Sequence, residues 1–128
     1  MYNLEILQNP YASEDLEAIR TINQENIPEV SDIESIERLK QLIEWSSHLI
    51  IVRGSEIAGF IILMRENQDY ESLNYDFFNK KGEPFLYVDR IAIQENYQRK
   101  GLGKLIYDKV IEIGKIKRKN YQSKNLSH

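Results

Sequence analysis

The chain lacks cysteine, and among its 128 residues it has only three prolines, two histidines and one tryptophan. Without cysteine there is no disulfide, no thiolate nucleophile and no Cys-based zinc site, although the count identifies no compartment. The histidines, His48 and His128, stand at a strand start and at the terminus. Nothing supplies the remaining ligands at a usable spacing, so no metal site is expected. No apolar run approaches the ~20 residues of a membrane span. The start MYNLEILQNP lacks the basic and apolar regions of a signal peptide, and the expectation is a cytoplasmic protein with no membrane partner. Net charge is also small, at −3. It hides an asymmetry, because Lys115 to His128 hold five basic residues and no acid, leaving −8 on the rest. Such a tail can bind nucleic acid, but no nucleic-acid-binding fold accompanies it, and a solvated helix end is the favoured reading.

What is present describes one domain, since 41% of residues are hydrophobic and the length allows a single core. Glu5 to Leu7 reads as a first strand, broken by Asn9-Pro10. Ser13 reads as the N-cap of a helix whose first turn carries Glu14, Asp15 and Glu17 and whose buried face is Leu16, Ile19 and Ile22. Ser31 and Glu34 form a capping box at the head of a second helix, with Ile33, Ile36, Leu39 and Ile43 at helical spacing. "HLIIVR" and "EIAGFIILM" are β-branched-rich strands joined by a tight Gly54-Ser55 turn. Residues 65–84 have no period and mix tyrosine, phenylalanine, Asp and Asn; a loop that long either packs down on the sheet or serves as a substrate-binding lid. "FLYVDRIAI" is a long central strand. Leu102, Leu105, Ile106, Val110 and Ile113 then stripe a helix that begins at two glycines.

That junction, "VDRIAIQENYQRKGLGKLIYDKVIEIGK", carries the chemistry. The first amides of a helix have no internal partner, and the helix dipole adds partial positive charge, so a strand, a glycine turn and a helix suit an anion. Gly101 and Gly103 remove Cβ atoms that would hold a pyrophosphate away, and Arg99, Lys100 and Lys104 add full charges. Two phosphate motifs fail here: the dinucleotide fingerprint requires a third glycine where Ile106 stands, and the P-loop requires Ser or Thr where Leu105 stands. A glycine-capped helix start with no ligand stays open as the bland alternative.

Gln98-Arg99-Lys100-Gly101-Leu102-Gly103 resembles the Gln/Arg-x-x-Gly-x-Gly/Ala coenzyme A loop of the GNAT superfamily of N-acetyltransferases. The order of elements is also similar: a helix pair, a β-hairpin, a strand written like "RIAI", then the loop and an amphipathic helix. "DYESLNYDFF" with "FLYVDR" looks like a small bacterial branch of that superfamily. The resemblance implies an α/β fold with a mixed, mostly antiparallel sheet flanked by helices, forming a domain over 1–119 with a polar, disordered tail over 120–128. It implies transfer of an acetyl group from acetyl-CoA to an amine on a small molecule or peptide. Backbone amides of Arg99, Lys100, Gly101, Leu102, Gly103 and Lys104 would bind the pyrophosphate, with Gln98 also in the cofactor-binding set. Ile91, Ala92 and Ile93 would flank the pantetheine arm, with an N–H near Ile93 polarising the thioester carbonyl. The amine must be neutral to attack, and Asp89 is the first candidate base with Tyr87 second. An Asp89 paired with Arg90 or bound to a backbone turn is the structural alternative. Asp69, Tyr70, Asn74 and Tyr75 would line the acceptor site.

Members of the superfamily continue with a further strand, helix and closing hairpin, which this chain lacks; Tyr121 does not stand in the context of their general-acid tyrosine. The expectation is therefore a truncated domain with an open sheet edge, either self-association through that edge or low stability, and weak acetyl transfer unless a partner supplies the missing wall. A non-catalytic CoA-binding or interaction module remains the rival reading.

Overall fold

The computed structural model describes residues 2–65 and 86–114. Within them the chain runs β1 (Asn3–Ile6), α1 (Ser13–Glu25), α2 (Ile36–Trp45), β2 (His48–Arg53), β3 (Ile57–Arg65), β4 (Leu86–Ile93), a 3-10 turn (Glu95–Tyr97) and α3 (Leu102–Gly114). The strands form one antiparallel sheet in the order β1-β2-β3-β4. β2 and β3 are almost uniformly apolar because both their faces are covered. Leu49, Ile51, Phe60, Ile62, Met64 and Ala92 meet α1 and α2 on one side. On the other, Ile50, Val52, Ala58, Ile61, Leu63 and Val88 meet Leu102, Ile106 and Val110 of α3.

Several boundaries differ from the sequence reading, each for a local reason. β1 starts two residues earlier than expected, pairing Leu4 with Val52 and Ile6 with Ile50; Leu7 still donates its N–H to Leu49 O at 2.8 Å. Ser13 is the first helical residue and not the cap. Ala12 holds the cap position with no side-chain bond, and its carbonyl takes the N–H groups of Asp15 and Leu16, both at 3.1 Å. The second helix starts at Ile36 and not near Ser31: Ser35 is its N-cap, with Oγ accepting from Arg38 N at 3.0 Å. Ser31 is drawn off to a buried arginine described below. The β2-β3 connection takes three residues, closed by Gly54 N–H to Glu56 O at 2.9 Å, beside a register shift at Val52/Arg53. In α3 the buried stripe is Leu102, Ile106 and Val110, spaced by four; Leu105 falls off that row and is 39% exposed.

Candidate active site

β4 carries the second irregularity of the sheet. Ile62 pairs with Arg90 but Leu63 pairs with Val88, so Asp89 is the extra residue of a β-bulge. Adjacent strand residues ordinarily point to opposite faces. The bulge cancels that alternation and brings Asp89 and Arg90 together, 1% and 5% exposed respectively, with Arg90 Nε donating to Asp89 Oδ2 at 3.1 Å. The rest of the guanidinium reaches across to the helical layer. Nη1 donates to Asn23 Oδ1 (2.9 Å) and Ser31 O (3.0 Å), and Nη2 donates to Ser31 Oγ (3.0 Å). Asn23 Nδ2 donates to Ser31 O at 2.9 Å and to Gln24 Oε1 at 3.0 Å. The buried charges are thereby paired and almost fully hydrogen-bonded, as burial demands. The exception is Asp89 Oδ1, which is buried and has no partner among the described residues.

At the other end of β4, Gln94 donates its N–H to Ala58 O across the ladder at 2.7 Å. Alternation along the strand then turns the N–H groups of Ile91 and Ile93 toward the edge away from β3. Beyond the 3-10 turn, Arg99 (φ 65°) and Gly101 (φ 80°) both sit in the left-handed region on either side of Lys100. Successive residues of alternating hand curl their amides into an anion-binding concavity. The first bond returning into the helix is Leu105 N–H to Gly101 O at 3.4 Å, so among the described residues the amides from Arg99 to Lys104 donate none within the protein.

Gly101 is required by its φ. Gly103 is not so constrained: it lies in the first turn of α3, and a Cβ placed there meets nothing within 4 Å. Glycine costs about 1 kcal/mol against alanine inside a helix, and neither backbone strain nor packing within the described residues asks for it. The open space in front of it faces amides unpartnered among the described residues at a helix N-terminus, an arrangement that suits an anion. Leu102 turns its side chain into the core and so fixes the helix start. Arg99 and Lys100 are exposed without ion-pair partners among the described residues, while Lys104 Nζ is engaged with Asp108 at 3.0 Å.

Three residues that organise this region were not singled out from the sequence. Asn26, the C-cap of α1, donates from Nδ2 to Ile22 O (2.8 Å) and to Ile93 O (3.1 Å), and its Oδ1 accepts from Gln98 Nε2 (3.4 Å). Gln98 Nε2 also donates to Ile93 O at 3.0 Å, so this side chain braces the turn from within. Asn23 occupies the row of Leu16 and Ile19, and a polar residue on an apolar stripe was the available signal. Gly59 faces Ile93 across the ladder, where a Cβ would lie 2.8 Å from Ile93 Cδ1 and 2.9 Å from Ala92 O. Of the expected site residues, Asp89, Ile91, Ala92 and Ile93 fall on β4, Gln98 to Gly101 on the following turn, and Leu102 to Lys104 in the first turn of α3. Tyr87 is placed by its backbone opposite Met64, its side chain lying outside what is described. Asp69, Tyr70, Asn74 and Tyr75 lie outside the described residues.

A family model described as the Acetyltransferase (GNAT) family matches residues 16–123. The chain belongs to the GNAT family of acetyltransferases. No curated protein matches it by sequence. Solved GNAT-type structures share its fold at low identity. A possible acetyltransferase from Clostridium difficile 630 superposes with a TM-score of 0.58 at 14% identity, covering 97% of this chain and 74% of its own. Arabidopsis thaliana NAA60, solved with acetyl-CoA, gives 0.59 at 18%, with 88% and 66% covered. The aminoglycoside acetyltransferase meta-AAC0020 from an uncultured soil metagenomic sample, solved with sisomicin, gives 0.56 at 19%, with 94% and 73% covered. In this GNAT domain no described helix is long and apolar enough to cross a membrane.

Proposed function

We propose that this GNAT domain transfers an acetyl group from acetyl-CoA to a primary amine. The observation that carries the reading is the turn from Arg99 to Lys104, whose amides donate to nothing among the described residues and whose Gly103 has no reason among those residues to be glycine. When bound, acetyl-CoA supplies an activated acyl thioester. The turn amides hold its pyrophosphate, and Arg99 and Lys100 add charge that no ion pair among the described residues takes up. The outward N–H of Ile93 is the donor we assign to the acyl oxygen, since the strand fixes its direction before anything binds.

Asp89 is the proton acceptor in this reading. Arg90 occupies Oδ2 and leaves Oδ1 with an unused lone pair in a buried setting, where a proton donor on the acceptor, or a water between them, would complete it. Tyr87 is the second candidate, and Asp69, Tyr70, Asn74 and Tyr75 remain our proposal for the acceptor wall. The structures solved with sisomicin and with acetyl-CoA support the chemistry, the first carrying an amine-rich ligand and the second the donor. The test is calorimetry with acetyl-CoA followed by a panel of small amines and peptides on the same sample. Micromolar binding with acetyl transfer to at least one amine is expected. Binding without transfer to any member would make the domain a CoA-binding module, and absence of binding would remove the reading.

A further inference from the structure

The left-handed Arg99 raises the question of what holds the turn in shape before a ligand arrives. A non-glycine residue in that region is strained, and such strain persists only where the surroundings over-determine the backbone. On the far side, α3 fixes the turn through buried Leu102. On the near side the backbone of the 3-10 turn is lightly held, by Tyr97 N–H to Gln94 O at 2.8 Å and Gln98 N–H to Glu95 O at 3.5 Å. The remaining hold is through side chains. Ile93 O, at the end of β4, accepts from both Asn26 Nδ2 and Gln98 Nε2, and Gln98 Nε2 is shared with Asn26 Oδ1. Asn26 is itself fixed, because its Nδ2 also caps α1 at Ile22 O. One helical turn earlier, Asn23 ties the same helix to Arg90 at the bulge.

We infer that Asn26 is a positioning residue for the cofactor turn: it locks Gln98 to the end of β4 and so sets the curl of Arg99 to Lys104 ahead of binding. The inference rests on the acetyl-CoA reading of the turn, and it makes α1 the common support of both ends of the site. It accounts for the direction of the Gln98 side chain, which is turned back toward the strand and spends its amide on the scaffold. A pre-shaped turn loses less conformational freedom on binding, which appears as affinity.

The experiment measures acetyl-CoA affinity by calorimetry for the wild type, Asn26→Ala, Gln98→Ala and the double variant, with Ser35→Ala as a control that weakens α2 at a site remote from the turn. Asn26→Ala and Gln98→Ala should each weaken binding about tenfold, the double variant should lose little more than either, and Ser35→Ala should bind as wild type. Backbone order parameters of the ligand-free protein supply a readout independent of binding. Residues Arg99 to Lys104 should stand near ~0.85 in the wild type and fall toward ~0.6 in Asn26→Ala. Wild-type affinity and an equally ordered turn in Asn26→Ala overturn the inference, as does a loss matched by Ser35→Ala. A wild type that fails to bind acetyl-CoA overturns the cofactor reading, and the order parameters alone then decide whether Asn26 shapes the turn.

Discussion

Gly103 and Asp89 are the two single residues whose chemistry is out of proportion to their packing. Gly103 has open space where its Cβ would be, so a side chain there disturbs nothing in the described protein. Gly103→Val should leave thermal stability unchanged or slightly raised, since valine is the better helix residue, while acetyl-CoA affinity falls at least tenfold. Gly103→Ala, which the loop pattern admits and which adds only one methyl, should lose affinity less steeply than Gly103→Val. Equal affinity for Gly103→Val and wild type, measured by calorimetry, would take the turn out of the site. Asp89 carries two burdens that a substitution can separate. As the counter-ion of buried Arg90 it is structural, and Asp89→Asn should cost on the order of 3 kcal/mol in a denaturant melt because a buried charge is left without its partner. As a base it should in addition lower turnover by roughly 10²-fold with little change in acetyl-CoA affinity. A folded Asp89→Asn variant that turns over at the wild-type rate would leave Asp89 as counter-ion alone.

At the scale of elements, Gly59 of β3 faces the end of β4 next to the glycine turn and leaves no room there for a side chain. A methyl there would stand 2.9 Å from the Ala92 carbonyl oxygen, which as backbone cannot swing away, and 2.8 Å from Ile93 Cδ1. Gly59→Ala should therefore destabilise the domain by about 1–3 kcal/mol and, by pushing back the end of β4 that carries the Ile93 N–H, weaken acetyl-CoA binding as well. Unfolding that matches wild type, with unchanged affinity, would show that the strand end shifts freely. The helix hairpin shows how far local signals carry. Both helices were legible from their apolar periods, but the cap of each was misplaced: Ser13 and Ser31 have the right chemistry for caps, yet Ser13 is the first helical residue and Ser31 is bound by Arg90. Ser31 answers to Arg90, which lies 59 positions along the chain, and no window around the serine contains that information.

For the whole molecule the cofactor reading has a thermodynamic consequence that any active-site argument must satisfy. A ligand that binds only the folded chain adds about 2.7 kcal/mol at a concentration 100 times its Kd, which for a domain of this size raises Tm by roughly 10 °C. Acetyl-CoA should do this in calorimetric scans, and Gly103→Val should abolish the shift while keeping the ligand-free Tm. A shift that survives in Gly103→Val would place the binding elsewhere on the protein. The sequence by itself determined the class of fold, the order of elements and the position of the glycine turn at the head of α3, because periodicity, glycine placement and helix-end chemistry act within a few residues of chain. Only the tertiary structure decided that a bulge sets Asp89 and Arg90 on one face, that one buried carboxylate oxygen has no partner among the described residues, and that Asn23 and Asn26 tie α1 to the two ends of β4. Those features depend on which distant groups meet once two layers pack on a sheet, and a pairing register or a buried hydrogen bond exists only after the chain has closed on itself.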